Sequence, residues 1–114
     1  FGEWGIPTSR SILNVREVSR SIPLIATGGL RNGIDVALAL ALGADVGAMA
    51  RPFLLRAVEG DEAVARFIET TLSELRICMF GAAAGTVAAL RGRAMRVTST
   101  RPLPDARSLS AGPA

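Results

Sequence analysis

Two kinds of apolar run alternate along this chain. Residues 22–26 and 44–48 are short, dense in small and β-branched residues, and read as buried strands. Pro23 suits only a strand start, so the first strand proper covers 24–27, and the second covers 45–49. Around them the apolar positions recur at helical spacing. Ile12, Leu13, Val15 and Val18 form one side of a first helix, capped by Thr8 or Ser9, with Arg10, Arg16, Glu17 and Arg20 outside. Residues 34–42 predict an almost wholly apolar helix closed by Gly43. A short helix starts at Arg51 with Pro52 near its first position, and Gly60 ends it. Asp61 then caps a long helix over 62–80, whose buried stripe is Val64, Phe67, Ile68, Leu72, Leu75 and Met79. Residues 81–90 read as a small terminal helix. Residues 1–7 read as an entering loop in which Trp4 packs beneath the fold or, as the alternative, against a ligand.

Strand and helix in alternation imply an α/β fold with a parallel sheet under helical cover. Only two strands are visible, however, and a parallel sheet must be buried on both faces. A closed eight-stranded barrel needs about 250 residues, against the 114 here, and the chain begins at Phe1 rather than Met. The expectation is the C-terminal part of a (β/α)8 barrel, with residues 1–90 as the barrel segment and 91–114 as a disordered tail rich in Arg, Pro and Ser.

The chemistry concentrates where strands meet helices. Ala26-Thr27-Gly28-Gly29-Leu30-Arg31-Asn32-Gly33 and Ala48-Met49-Ala50-Arg51-Pro52 each follow a strand and lead into a helix. Such turns aim backbone N–H groups and the positive end of a helix past the strand ends, where the usual occupant is a phosphate. Gly28 and Gly29 permit positive φ and close approach of an anion. Arg31 adds a cation, Asn32 can cap the helix that follows, and Gly33 keeps its first turn slim. Asp35 reads first as a residue that favours the helix dipole there, with holding the loop as the alternative role. Two such loops can clamp one phosphate between them.

Composition narrows the field. At 49% hydrophobic and a mean hydropathy of +0.36, the chain can bury a core. It has no His, Tyr or Lys, hence no imidazole base, phenol donor, Schiff-base amine or histidine metal ligand, and no catalytic or metal-binding residue is assigned within it. The single cysteine, Cys78, excludes an internal disulfide and reads as a buried thiol beside Leu72, Leu75 and Met79. Net charge is +3, but residues 1–90 carry eight arginines against nine acids, so the basicity lies in the tail. No aromatic residue accompanies it there, which argues against nucleic acid as a partner. No long charge-free apolar run or signal layout occurs, so no membrane partner is expected and a cytoplasmic location follows by default.

Certain stretches resemble a known family. Trp4-Gly5-Ile6-Pro7-Thr8, the loop from Thr27 through Ala37, Ala41-Leu42-Gly43-Ala44-Asp45, Met49-Ala50-Arg51-Pro52-Phe53-Leu54, and the segments Glu74-Leu75-Arg76 and Met79-Phe80-Gly81-Ala82 are similar to the C-terminal part of type 2 isopentenyl-diphosphate isomerase. The resemblance runs over about residues 1–90. It implies a barrel holding FMN by its phosphate, with Gly28, Gly29, Leu30 and Arg31 in one loop and Ala50 and Arg51 in the other. It further implies interconversion of isopentenyl and dimethylallyl diphosphate, with reduced FMN, NADPH as reductant, and Mg2+ held by residues outside this chain. A small-molecule diphosphate would be the substrate, and the full-length protein a homo-oligomer. One departure from the family lies at Val46-Gly47-Ala48-Met49-Ala50, where Gly47 and Ala48 stand in altered order and set which small residue faces inward.

Two other readings stand beside this one. The α-hydroxyacid oxidases share the Gly-Gly-x-Arg and Ala-Leu-Gly-Ala segments but use a catalytic His and an Arg just before the first glycine loop, and residues 21–26 offer neither. The remaining reading is a truncated product without catalysis.

Overall fold

The computed structural model describes residues 5–91 and residue 93. The expectations for Trp4 and for the tail as a unit lie outside these residues. Five helices and two strands follow in the order α1 (Thr8–Val18), β1 (Ile25–Ala26), α2 (Gly33–Leu42), β2 (Val46–Gly47), α3 (Arg51–Glu59), α4 (Asp61–Gly81) and α5 (Val87–Leu90). The strands pair in parallel, Ile25 opposite Val46 and Ala26 opposite Gly47. Both are shorter than the apolar runs suggest. Their hydrogen bonding spreads a little further, from the N–H groups of Asp45 and Val46 to the Leu24 carbonyl and from Ala48 N to Ala26 O.

Helix α2 is the crossover between the strands and the centre of the packing. It touches α1, α4, α5 and β2, which explains why its sequence is apolar almost all round. Val36, Ala37, Ala39 and Leu40 from α2 join Ile12, Ala26, Leu30, Ala44, Ala84 and Leu90 in one core. Full burial of an aliphatic side chain such as Leu40 contributes about 2 kcal/mol. Gly43 ends the helix at φ 126°, as expected of a C-terminal glycine. At the other end Gly33 lies so close to α4 that an added Cβ would overlap the Thr71 carbonyl oxygen. The slimness read from the sequence is therefore a demand of helix contact.

The two faces of the sheet differ. Ala26 and Gly47 turn toward the helix layer, with Gly47 against Val36 and Leu30. Ile25 and Val46 lie on the opposite face, 63% and 51% exposed.

Four local expectations need correction. Thr8 and Ser9 do not cap α1; Pro7 holds the N-cap position without a side-chain bond, because the Thr8 hydroxyl is engaged with the glycine loop. Likewise Asp61 is the first helical residue of α4 and Gly60 its N-cap. The stripe of α4 is rotated: Ala63 is buried, Val64, Phe67, Thr71, Glu74, Leu75, Cys78 and Met79 are half-buried, and Ile68 and Leu72 are exposed. The close approach at Gly33 centres the seam on Thr71 and Glu74, which polarity alone assigns to solvent. Finally, α5 is only four residues long, since α4 ends in a turn with Ala83 at φ 53° and Thr86 caps the next helix through Ala89 N.

Arg16 was expected on the outside of α1 and is instead a tie at the N-terminal end of the strands. Its side chain is 14% exposed. Nε donates to Gly43 O at 2.7 Å, Nη1 to Ile22 O at 2.8 Å, and Nη2 to Asp45 Oδ2 at 2.9 Å. Asp45 also accepts the N–H of Leu24 and pairs with Arg91 at 2.6 Å. These partners hold its carboxyl below its ordinary value, the Leu24 N–H first and the two arginines after it, against the opposing effect of burial. Val18, conversely, is 89% exposed although the helical spacing placed it inward.

Candidate functional site

At the C-terminal ends of both strands a cavity of about 610 Å³ opens between the two loops. Thr27 to Arg31 line one side and Ala48 to Pro52 the other, with Leu55, Arg56 and Phe67 completing the wall. The sequence-predicted residues Gly28, Gly29, Leu30, Arg31, Ala50 and Arg51 are thus brought to one place. Ala48 lines the cavity while Gly47 packs against α2, so the order of these two residues puts the alanine on the open side.

The first loop has the shape its glycines allow. Gly28 and Gly29 take φ of 99° and 79°, a region side chains resist. A Cβ on Gly29 would meet no protein atom within 4 Å, so open space lies beside the backbone there. Among the described residues no acceptor receives the N–H of Gly28, Gly29 or Leu30. Leu30 contributes backbone only, because its side chain is 7% exposed and part of the core. Asn32 caps α2 as expected, accepting Asp35 N at 2.9 Å. Asp35 does more than favour the dipole: its Oδ2 accepts the Arg31 N–H at 3.0 Å and Arg31 Nε at 3.3 Å.

The second loop reaches the same cavity by other means. Ala50 is the N-cap of α3 in an α conformation and gives no side-chain bond, and Pro52 lies in the first turn without an N–H to satisfy. The N-terminus of α3 therefore keeps its positive end open toward the cavity. Arg31, Arg51 and Arg56 all line the space, and no carboxylate among the described residues does. Backbone donors, a helix N-terminus and three arginines line one volume, Arg56 also lying 3.8 Å from the Glu59 carboxylate outside it. The donor set fits a phosphate group.

Leu55, Arg56 and Phe67 were missed in the sequence. Arg56 sits over the Phe67 ring at 5.7 Å, and Phe67 meets Phe53 edge to face at 5.0 Å. The helical spacing places Phe67 in the buried stripe of α4. Its spacing carries no sign that the ring edges a cavity, because that depends on where α4 crosses α3.

Among the described residues no group of three or more His, Cys, Asp or Glu could hold a metal ion. No helix among them is long and apolar enough to cross a membrane.

Residues 5–97 match the family described as FMN-dependent dehydrogenase, and the chain belongs to that family. The chain is similar to the isopentenyl-diphosphate delta-isomerase of Synechococcus sp., 52% identical over 80% of this chain and 26% of that protein. It is also similar to the proteins of that name from Mycolicibacterium vanbaalenii, 46% identical over 82% of this chain and 27% of the relative, and from Sulfurisphaera tokodaii, 43% identical over 80% and 25%. The resemblance carried by the loop motifs is met by these relatives. The chain spans about a quarter of the length of the curated relatives it matches.

Proposed function

We propose that this chain supplies the phosphate-binding end of an FMN-dependent isopentenyl-diphosphate isomerase. The observation that carries the reading is the meeting of the two loops on one cavity lined by three arginines and no carboxylate among the described residues. FMN binding is supported by the family, and the isomerase activity by the names of the relatives. In this reading β1, α2, β2 and α3 are consecutive units of a (β/α)8 barrel, whose C-terminal strand ends carry the site. The exposed face bearing Ile25 and Val46 would then be barrel interior. Residues 1–90 form the barrel segment and 91–114 an appended tail. NADPH as reductant, Mg2+, a cytoplasmic location and homo-oligomeric assembly belong to the same proposal.

Bound in its reduced form, the flavin supplies the proton donor and acceptor for moving a hydrogen across the allylic unit, a reaction with no net redox change. This chain's own residues bind and orient. The N–H groups of Gly28, Gly29 and Leu30 and the open end of α3 would receive the phosphate oxygens, with Arg31 and Arg51 balancing their charge. Leu55 and Phe67 give one wall of the cavity an apolar surface. No residue here is assigned a proton-transfer role.

The hydroxyacid oxidases, which resemble this chain in the Gly-Gly-x-Arg and Ala-Leu-Gly-Ala segments, would place a histidine and an arginine just before the first glycine loop, and residues 21–26 hold neither. The test is to isolate the full-length protein that carries this sequence, record its visible spectrum, and assay it with NADPH, FMN and Mg2+. Flavin absorption together with interconversion of isopentenyl and dimethylallyl diphosphate is expected. A flavin-free protein, or one that oxidises a hydroxyacid and leaves the diphosphates unchanged, would overturn the proposal.

A further inference from the structure

A loop with two consecutive glycines has little shape of its own, so a phosphate cradle built from it must be held from outside. Two side chains grip it at opposite ends. Thr8, the first residue of α1, donates its hydroxyl to the Gly28 carbonyl at 2.7 Å across twenty positions of sequence. That carbonyl and the Gly29 N–H belong to one trans peptide unit, so turning the oxygen toward α1 aims the N–H the other way. Gly28 and Gly29 line the cavity between the two loops and Thr8 does not, as an N–H aimed into that cavity requires; a smaller hollow on the Thr8 side shares the two glycines. At the far end Asp35 Oδ2 takes the Arg31 N–H at 3.0 Å and steadies the guanidinium through Nε at 3.3 Å. Asp35 is itself fixed by Asn32, which accepts its N–H. The Arg31 N–H is thereby removed from the ligand's reach, while Nη1 and Nη2 have no partner among the described residues.

We infer that Thr8 and Asp35 are positioning residues that brace the first loop at its two ends, so that the N–H groups of Gly28, Gly29 and Leu30 and the Arg31 guanidinium meet a phosphate monoester pre-formed. The inference rests on the phosphate reading of the cavity. It concerns residues that touch the loop and not the ligand. Bracing lowers the ordering cost that binding would otherwise meet.

Riboflavin, which is FMN without its phosphate, separates bracing from general stability. Dissociation constants for FMN and riboflavin are measured by flavin fluorescence on the full-length protein and its Thr8→Val, Thr8→Ser, Asp35→Ala and Asp35→Asn variants, with melting curves alongside. Thr8→Val and Asp35→Ala should each weaken FMN about tenfold, the scale of one charge-assisted or well-placed hydrogen bond, and leave riboflavin affinity unchanged. Thr8→Ser, which keeps the hydroxyl, should return FMN affinity to within about twofold of wild type. Equal losses for both flavins, or tighter FMN binding in Asp35→Ala, would overturn the inference. A wild type that does not prefer FMN to riboflavin would instead remove the phosphate reading, and the inference with it. A wild-type preference that survives in both variants keeps the phosphate reading and removes the bracing. Should Asp35→Ala fail to fold, Thr8→Val and Asp35→Asn carry the same comparison.

Discussion

The two ends of the β1–β2 pair use arginine in opposite ways. At the N-terminal end Arg16 is half-buried and fully engaged, tying the start of β2 to α1 through Asp45, Gly43 and Ile22. At the C-terminal end Arg31, Arg51 and Arg56 are more exposed and line a cavity with no carboxylate in its wall among the described residues, Arg31 being held at Nε by Asp35 and Arg56 lying 3.8 Å from Glu59. The backbone follows the same division. The Leu24 N–H at the first end has its acceptor in Asp45, whereas Gly28 and Gly29 at the second have none among the described residues. Groups satisfied within the chain add stability, and groups left facing open space are available to a ligand. The comparison thus separates residues whose loss should unfold the protein from residues whose loss should empty it.

The largest expected effect tests whether that division is too simple. Gly33 sits beside the site loop, yet its constraint is the α4 backbone, so Gly33→Val should cost about 3 kcal/mol or more in a denaturant melt. A stable variant that had merely lost flavin would mean that the α2–α4 contact is adjustable. Next comes Arg16→Ala, which removes three hydrogen bonds to carbonyls, the one to Ser19 long at 3.4 Å, and one to a carboxylate. Stability should fall by about 2 kcal/mol with the flavin affinity of the remaining folded protein unchanged. Weakened flavin binding there would show that the two ends are coupled.

At the site end Gly29→Val should weaken FMN by about 2 kcal/mol, because a β-branched residue resists a φ of 79°. Wild-type flavin content would show that the loop has another accessible shape. Arg31→Ala should cost FMN binding about 1.5 kcal/mol, near tenfold, with little change in melting temperature. Unchanged affinity would remove Arg31 from the site.

The smallest effect at neutral pH concerns Asp45. Its carboxyl is held below its unfolded value, so the stabilisation it gives is complete above the unfolded pKa of about 3.9 and is lost as pH falls through the lower folded value. Asp45→Asn should therefore flatten the acid limb of a stability profile measured below about pH 4. A variant whose acid limb matches wild type would assign acid sensitivity to another carboxylate.

What could be read from the sequence was local. Glycine pairs, Asn32 before an apolar helix, Gly43 after it and Pro52 at a helix start each act within a few residues of themselves, and all stand where their chemistry predicts. The strand–loop–helix order, repeated in a parallel pair, likewise puts both loops at the same end of the strands. What sequence could not show were contacts whose partners lie far along the chain. Arg16 reads as a solvated charge because two of its acceptors, Gly43 and Asp45, are 27 and 29 residues away, and Thr8 reads as a cap because Gly28 is 20 residues away. Phe67 and Arg56 enter the cavity only through the way α4 lies on α3.

The sequence by itself determined the elements, the glycine turns and the family, since these depend on backbone preferences and short-range spacing. The tertiary structure alone decided which arginines are spent inside the fold and which face the cavity. A guanidinium side chain is long enough to do either, and only the neighbours that surround it in space settle which free energy is lower.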